Sequence, residues 1–457
     1  MIKQKSSFLS NTKKISGKIF FRKNWQIFTY IPKVLSKVDK IILILSTIII
    51  ITSLFFVWRE AWIKTTHEAP AIGGTYIEGI VGEPKDLDKF LTRLTGAGLT
   101  RVAVDGSIQS DLAESWEIQD DGRTYQFKLR SGFSSADLAN QIETKNVLSG
   151  IEVGTPADNL MTFKFKQPYS PFLYTSTEPF FSYGPYQITK EEKNAVTLEA
   201  SPSYWQGKPY INKIIIRLYP NVAELEKAAK NNDIMGYLTD SETDWSKDST
   251  TYQMKLPREL DLFFNLSKDP LKDVNVRKNL KDTKPLGSGI NLILATSENT
   301  KNVAAAEEIK EKWKALNANI EIKKYDNVTL QKDIIPNRNY DLLLYGLDYG
   351  ADPDPYPFWH SSQVGTAGMN LSNFSDKKAD KLLEDARQTY DTNIRNQKYD
   401  EFRKILDDQV PYMTIKQESL YYTISNKIKS VTKIYGFAEG DRFINVNQWY
   451  IKSKREK

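Results

Sequence analysis

Residues 201–220 read SPSYWQGKPYINKIIIRLYP, and two kinds of local chemistry meet in them. Gly207 and Pro209 punctuate the chain, because one permits positive φ and the other fixes φ and lacks an N–H. Ile214, Ile215, Ile216 and Leu218 follow as a β-branched apolar run closed by Pro220, the pattern of a buried strand. Neither the turn nor the strand accounts for Tyr204 and Trp205.

Downstream, NVAELEKAAKNND (221–233) predicts a helix with Asn221 as N-cap and Glu224 three residues later. IMGYL (234–238) predicts a strand. Upstream, GTYIEGIVG (74–82) reads as a buried opening strand. DLAESWEIQDDGRTYQFKLR (111–130) reads as a hairpin: Trp116 and Ile118 alternate inward, Asp121-Gly122 turns, and Tyr125, Phe127 and Leu129 alternate back. LMTFKFKQP (160–168) is a further alternating strand. The segment KDTKPLGSGI (281–290) is a Pro/Gly/Ser cluster and a candidate crossing between two lobes. Beyond it come a strand (INLILAT), a helix (304–316) and strands at 320–325 and 340–347, then helices near 376–389 and 392–408. Strand, helix, strand in this order predicts βαβ units on a mostly parallel sheet.

The chain has 457 residues, room for two or three domains. Cysteine is absent, which excludes disulfides, thiolate metal sites, Cys nucleophiles and a lipid-modified cysteine. The net charge of +6 is unevenly spread: residues 1–40 hold ten Lys or Arg and one acid, leaving 53 basic against 56 acidic residues elsewhere. A nucleic-acid partner needs a basic face on the folded part, and none is expected here. The basic tail instead precedes an uncharged stretch, Ile41 to Trp58 (IILILSTIIIITSLFFVW), close to the ~20 apolar residues that span a bilayer. The positive-inside rule then places residues 1–40 in the cytoplasm and the main domain outside, in a single-pass, uncleaved arrangement; a signal peptide cleaved near the A-x-A match Ala69-Pro70-Ala71 is the competing reading. Residues 18–35 mix aromatic and basic side chains, as an interfacial helix or a surface-following tail would.

Enzyme signatures are thin. The two histidines, His67 and His360, stand apart, and no nucleophile elbow, phosphate loop, zinc motif or dinucleotide fingerprint is present. No catalytic residue, metal or cofactor is expected; the acidic run 240–249 reads as a solvated loop. LYGLDYGADPDPYPFW (344–359) differs, because a buried strand runs into a loop holding Asp348, Asp352 and Asp354 among aromatics. Ligands bind outside the carboxyl ends of strands in open α/β sheets. An acid among aromatics suits a cationic group such as a peptide α-amine; an ordinary Pro/Asp turn with packed aromatics is the competing reading.

YWQGKPYINKI (204–214) resembles the family 5 extracytoplasmic solute-binding proteins, the peptide- and nickel-type receptors of ABC importers, whose recurrent element is Tyr-Trp, Gly-Lys-Pro and a strand. SDLAESWEIQDDGRTYQFKLRSG (110–132), YGPYQI (183–188), LFFNLSKDPLKDVNVRKNL (262–280), NLSNFSDKKADKLLEDAR (370–387) and ILDDQVPYMTI (405–415) resemble further pieces in the same order. The resemblance covers most of residues 74–440.

It implies an α/β, two-lobed periplasmic-binding-protein-like fold, type II and shortened, preceded by one transmembrane helix. The expected organisation is a tail (1–40), a transmembrane helix (41–58), a first lobe (74–280), a second lobe (281–420) and a C-terminal return to the first lobe (421–457). The implied function is capture of oligopeptides between the lobes for an ABC permease and ATPase. Asp348, ahead of Asp352-Pro353, would hold the α-amine, one residue further from that pair than in relatives. Tyr345, Tyr349, Tyr356 and Trp359 would line or roof the cleft. Segments 133–146, 174–183 and 281–290 are shorter than in relatives, which implies a more open cleft. An oligosaccharide receptor, a non-transporting sensor or scaffold, and a peptidase remain the alternatives.

Overall fold

Ten strands build the main sheet: β1 (Thr75–Val81), β2 (Tyr186–Glu192), β3 (Ala195–Ala200), β4 (Lys213–Tyr219), β5 (Gly236–Thr239), β6 (Ser249–Phe264), β7 (Ile290–Ser297), β8 (Ala318–Tyr325), β9 (Leu342–Asp348) and β10 (Tyr412–Ser425). Their spatial order is β8-β7-β9-β6-β10-β5-β1-β4-β3-β2. This computed structural model describes residues 36–456 except 104–105, 120–121, 244, 246, 353, 366–367 and 433–435. Residues 1–35 with their expected interfacial helix, Asp121 of the expected turn and Pro353 therefore lie outside the described residues.

The isoleucine run of the opening stretch is β4, which pairs in parallel with β1, Ile214 facing Tyr76 and Ile216 facing Glu78. Ile214 and Ile216 are wholly buried. Asn221 caps the next helix, Val222–Lys230, by accepting the Glu224 N–H at 2.9 Å. The expected hairpin forms as Ala113–Gln119 against Thr124–Leu129, with Trp116 opposite Phe127, inside a separate four-stranded sheet. Phe127, Phe163 and Phe172 make the core of that sheet.

The second half of the main sheet is a three-layer arrangement. β9 is buried on both faces, which is why LLLYGL is nearly continuous in apolar residues rather than alternating. On one side Trp313 of helix Thr300–Lys314 packs with Leu342 and Leu344; on the other, helices Lys377–Gln388 and Thr392–Gln409 pack against Leu343 and Leu347.

The candidate crossing at 281–290 is corrected. Leu286 in that segment belongs to the core of the second half, and its N–H bonds the Leu316 carbonyl at 3.0 Å. The strands that pass between halves are β6 and β10, 16 and 14 residues long and antiparallel. Thr250–Lys255 and Ser419–Ile424 pair beside β5, whereas Glu259–Phe263 and Tyr412–Gln417 pair beside β9. Their register shifts between Lys255 and Glu259, where Pro257 removes an N–H from the ladder.

The chain divides into a large unit, residues 70–452, and a small one that takes in 36–69 and 453–456. The small unit carries helix Lys37–Thr65, whose apolar side chains are all unburied and which is long and apolar enough to cross a membrane. It begins before the expected span of 41–58 and ends after it. Ser36 and Asp39 form a capping box at its start, and Trp58 stacks on Trp62 near its end, with ring centroids 6.3 Å apart.

Candidate functional site

The register shift brings three charged groups together. Arg258, at the break in β6, donates from Nε to Asp348 Oδ2 at 2.7 Å and from Nη1 and Nη2 to the two Glu439 oxygens at 2.9 and 3.3 Å. Asp348 ends β9, and its Oδ1 accepts the Gly350 N–H at 2.9 Å; Gly350 has φ +70°, where a side chain would be strained. Glu439 lies in the chain that returns to the first half, where Phe443, Val446 and Trp449 enter the core. Burial works against ionising Glu439, but the Arg258 guanidinium outweighs it and holds the carboxyl below its ordinary range. Arg258 thus joins the end of a second-half strand to a first-half segment at the register shift of β6.

The loop after Asp348 is tied down by two arginines. Asp352 pairs with Arg395, and Asp354 with Arg387 at 2.9 Å. Asp354 also accepts the Tyr356 N–H at 3.1 Å, an Asx turn that starts the short helix Tyr356–Trp359.

The structure brings some of the expected site residues together and separates others. Tyr345 and Tyr349 meet around Asp261 of β6: Tyr345 is its cross-strand neighbour and the Tyr349 hydroxyl donates to Asp261 Oδ2 at 2.7 Å. Tyr356 lies further along, its ring stacked on His360 at 4.2 Å and under the Arg387 guanidinium at 4.3 Å. Trp359, expected at the cleft, is only 3% exposed and packs in the core with Tyr412, 4.8 Å between centroids, and with Phe263 and Phe374. Its indole follows the apolar face of the sheet, the largest burial open to it.

Tyr356 and Arg387 also line a cavity of about 400 Å³ with Phe165, Pro168 and Tyr169, residues that follow the four-stranded sheet. That volume lies in the range of small-molecule pockets. Beside it the two halves touch directly: the Ser170 N–H bonds the Arg387 carbonyl at 2.9 Å and Arg387 sits 5.2 Å from the Tyr169 ring centre. The cavity is therefore walled from both sides.

Sequence reasoning missed Arg258, Asp261, Arg387 and Glu439. For Asp261 a signal existed, an acid embedded in LDLFFN, where every neighbour from Leu262 to Phe264 is buried. Asp261 Oδ1 is buried without a hydrogen-bond partner among the described residues. Burial pushes its carboxyl up to about 6, against an ordinary value of about 3.9. Between those values the folded protein binds more protons than the unfolded chain, so stability rises as pH falls from about 7 to about 4. Asp261→Asn is expected to remove that part of the pH dependence, on the order of 2 kcal/mol. Thermal unfolding of both proteins at pH 7 and pH 5 checks it; identical pH dependence in the two would place the proton elsewhere.

A mixed main sheet in two halves, bridged by two long strands, is the two-lobed periplasmic-binding-protein-like fold. The model of the bacterial extracellular solute-binding proteins, family 5 Middle, matches residues 134–282. The dipeptide-binding protein of Escherichia coli (strain K12) is 22% identical over 440 residues, covering 70% of this chain and 82% of that protein. The oligopeptide-binding protein AppA of Bacillus subtilis, solved with a nonapeptide, superposes with a TM-score of 0.62 at 16% identity, over 84% of this chain and 99% of that one. HbpA2 of Haemophilus parasuis gives a TM-score of 0.71 at 16% identity, over 80% and 98% of the respective chains. These matches bear out the resemblance to the family 5 solute-binding proteins that the Tyr-Trp-Gln-Gly-Lys-Pro element carried. Such proteins are transport components rather than enzymes.

Proposed function

We propose that this protein captures peptides between its two halves and delivers them to the permease and ATPase of an ABC importer. The observation that carries this reading is Asp348, an acid at the carboxyl end of a buried strand, held by Arg258 beside the register shift of β6, with Tyr345 on the same strand and Tyr349 following. The names of the relatives support the ligand class. The α-amine of the peptide takes Asp348 in place of Arg258, Tyr345, Tyr349 and Tyr356 line the path, and Trp359 backs them from the core. Main-chain hydrogen bonds supply affinity and side-chain pockets set specificity. Exchanging Arg258 for the amine also frees the link between the halves, which couples binding to hinge motion.

The test is mass spectrometry of ligand released from the purified protein, followed by calorimetry with the recovered peptide and its N-acetylated form. Asp348→Asn and N-acetylation are each expected to weaken binding by about 2 kcal/mol or more. Undiminished binding in both would remove Asp348 from the site. A protein that purifies empty and is unshifted in melting temperature by peptide pools is a scaffold.

The same reading keeps helix Lys37–Thr65 in the mature protein as its anchor, with the amino terminus cytoplasmic. Arg455 supports this: it donates from Nε to Thr66 Oγ1 at 3.0 Å and from Nη2 to the Ile63 and Thr66 carbonyls at 3.1 and 3.4 Å, and lies 5.2 Å from the Trp62 ring centre. His67–Ala71 pairs with Lys452–Glu456 as a two-stranded sheet. A leader removed on export would strip these carbonyls from Arg455. The intact mass of protein extracted from membranes is expected to include the helix; a chain beginning beyond residue 66 would overturn the anchor.

A further inference from the structure

Tyr204 and Trp205 acquire a partner in the fold, and the partner is chemically unfinished. The Trp205 indole donates to Asp111 Oδ1 at 2.8 Å, and the Arg130 guanidinium lies 4.0 Å from the Trp205 ring centre. Arg130 is oriented from behind, its Nε donating to the Asp111 carbonyl at 2.7 Å and its Nη2 to Ser110 Oγ at 3.0 Å. Arg130, Trp205, Trp116 and Arg101 line one open cavity of about 610 Å³, completed by Gln109, Ser110, Glu114 and Ser115.

The charges in this cavity do not cancel. Among the described residues neither Arg101 nor Arg130 has a carboxylate within 4.0 Å. Glu114 is paired instead with Lys128 at 2.6 Å. Arg101 makes a single long hydrogen bond, Nη2 to Gln109 Oε1 at 3.4 Å, and its Nε is buried with no partner among the described residues. A buried, unpaired donor on a cation is costly unless something accepts from it. A guanidinium presents a planar fork that matches a carboxylate, and an indole offers a flat apolar wall beside it. With Asp111 beneath the two guanidiniums, one added negative charge suits the cavity better than two.

We propose that this cavity is a second ligand site for a small organic monocarboxylate, its oxyanion held by Arg101 and Arg130 and its planar or apolar body laid against Trp116 and Trp205. The site is remote in sequence from Asp348 and does not rest on the peptide reading. Its closest structural constraint is Arg130, which also orders the Asp111 turn, whereas the side chain of Arg101 hydrogen-bonds among the described residues to Gln109 alone.

Full-length protein in a neutral detergent, probed by saturation-transfer NMR with benzoate and with benzyl alcohol as the uncharged isostere, tests the proposal. Benzoate is expected to bind saturably and benzyl alcohol far more weakly. Arg101→Gln is expected to weaken benzoate by about tenfold or more, one lost charged contact, and to leave peptide binding unchanged. Arg130→Lys, which keeps the charge and loses the fork and the stacking, is expected to weaken benzoate as well. Equal binding of the two probes, no binding of either, or unaltered benzoate binding in Arg101→Gln would each overturn the site.

Discussion

Replacing Glu78 by Gln is expected to cost the fold about 3–5 kcal/mol, the range for removing one partner of a buried ion pair. Glu78 on β1 and Arg442 are both completely buried, with Arg442 Nε 2.7 Å from Glu78 Oε1. The other Glu78 oxygen accepts from the Tyr76 hydroxyl and, at 3.3 Å, from Tyr422 of β10; the two hydroxyls are themselves 2.7 Å apart. Burial, then the Glu78 charge, pushes both tyrosines well above their ordinary value, so they act as donors throughout the working pH range. Arg442 is further enclosed by Phe443 and Phe90, 4.2 and 5.2 Å from its guanidinium carbon. The substitution leaves that cation buried against a neutral amide, with the Glu439 carbonyl as its remaining hydrogen-bond acceptor among the described residues. Gly236 shows how tightly the cluster is filled, because a Cβ there would stand 2.0 Å from the Tyr76 hydroxyl. Urea unfolding checks the loss, and the double substitution Glu78→Gln with Arg442→Met is expected to recover part of it. A double variant as unstable as the single one would show that shape, rather than unpaired charge, sets the cost.

Arg395→Met is the second large effect, about 3 kcal/mol in stability, and it reaches the proposed peptide site. The side chains of Arg395 and Asp352 are 6% and 12% exposed, and Arg395 also donates to the Tyr399 hydroxyl from Nε and Nη2 at 3.2 Å each. Burial already pushes the Asp352 carboxyl above its ordinary value, and its second oxygen has no partner among the described residues. Without Arg395 that carboxyl must take up a proton or pull the loop outward. Because the loop begins at Asp348, peptide affinity is expected to fall with stability. Adding Asp352→Asn restores part of the stability in the expected cycle. Calorimetry on all four proteins separates the two effects; full stability in Arg395→Met alone would show the pair to be idle.

Most individual elements were legible because their signals are local. Asn221 caps its helix through a residue three places away, and Ala113–Gln119 pairs with Thr124–Leu129, strands whose partners lie within twenty residues. β6 was not legible: Lys255, Pro257, Arg258, Glu259 and Asp261 interrupt any alternation across TYQMKLPRELDLFF. It is a strand because β10 and β9 supply its hydrogen-bond partners from either side. The same interruptions coincide with its register shift, which is visible only once the sheet order is known.

By itself the sequence determined the long apolar helix, the βαβ character of the second half and, through a run of motifs in order, the resemblance to the family 5 solute-binding proteins. Periodicity, caps and turn residues act over a few positions, and an eighteen-residue uncharged stretch needs no partner to be read. Only the tertiary structure decided that 281–290 stays within one half, that Trp359 is core, that Asp348 is held by Arg258 and that Trp205 stacks on Arg130. Arg258 and Asp348 are 90 residues apart, and Glu78 and Arg442 are 364 apart. Which charge meets which is set by strand order and register, and those arise from pairings between distant segments that no local pattern encodes.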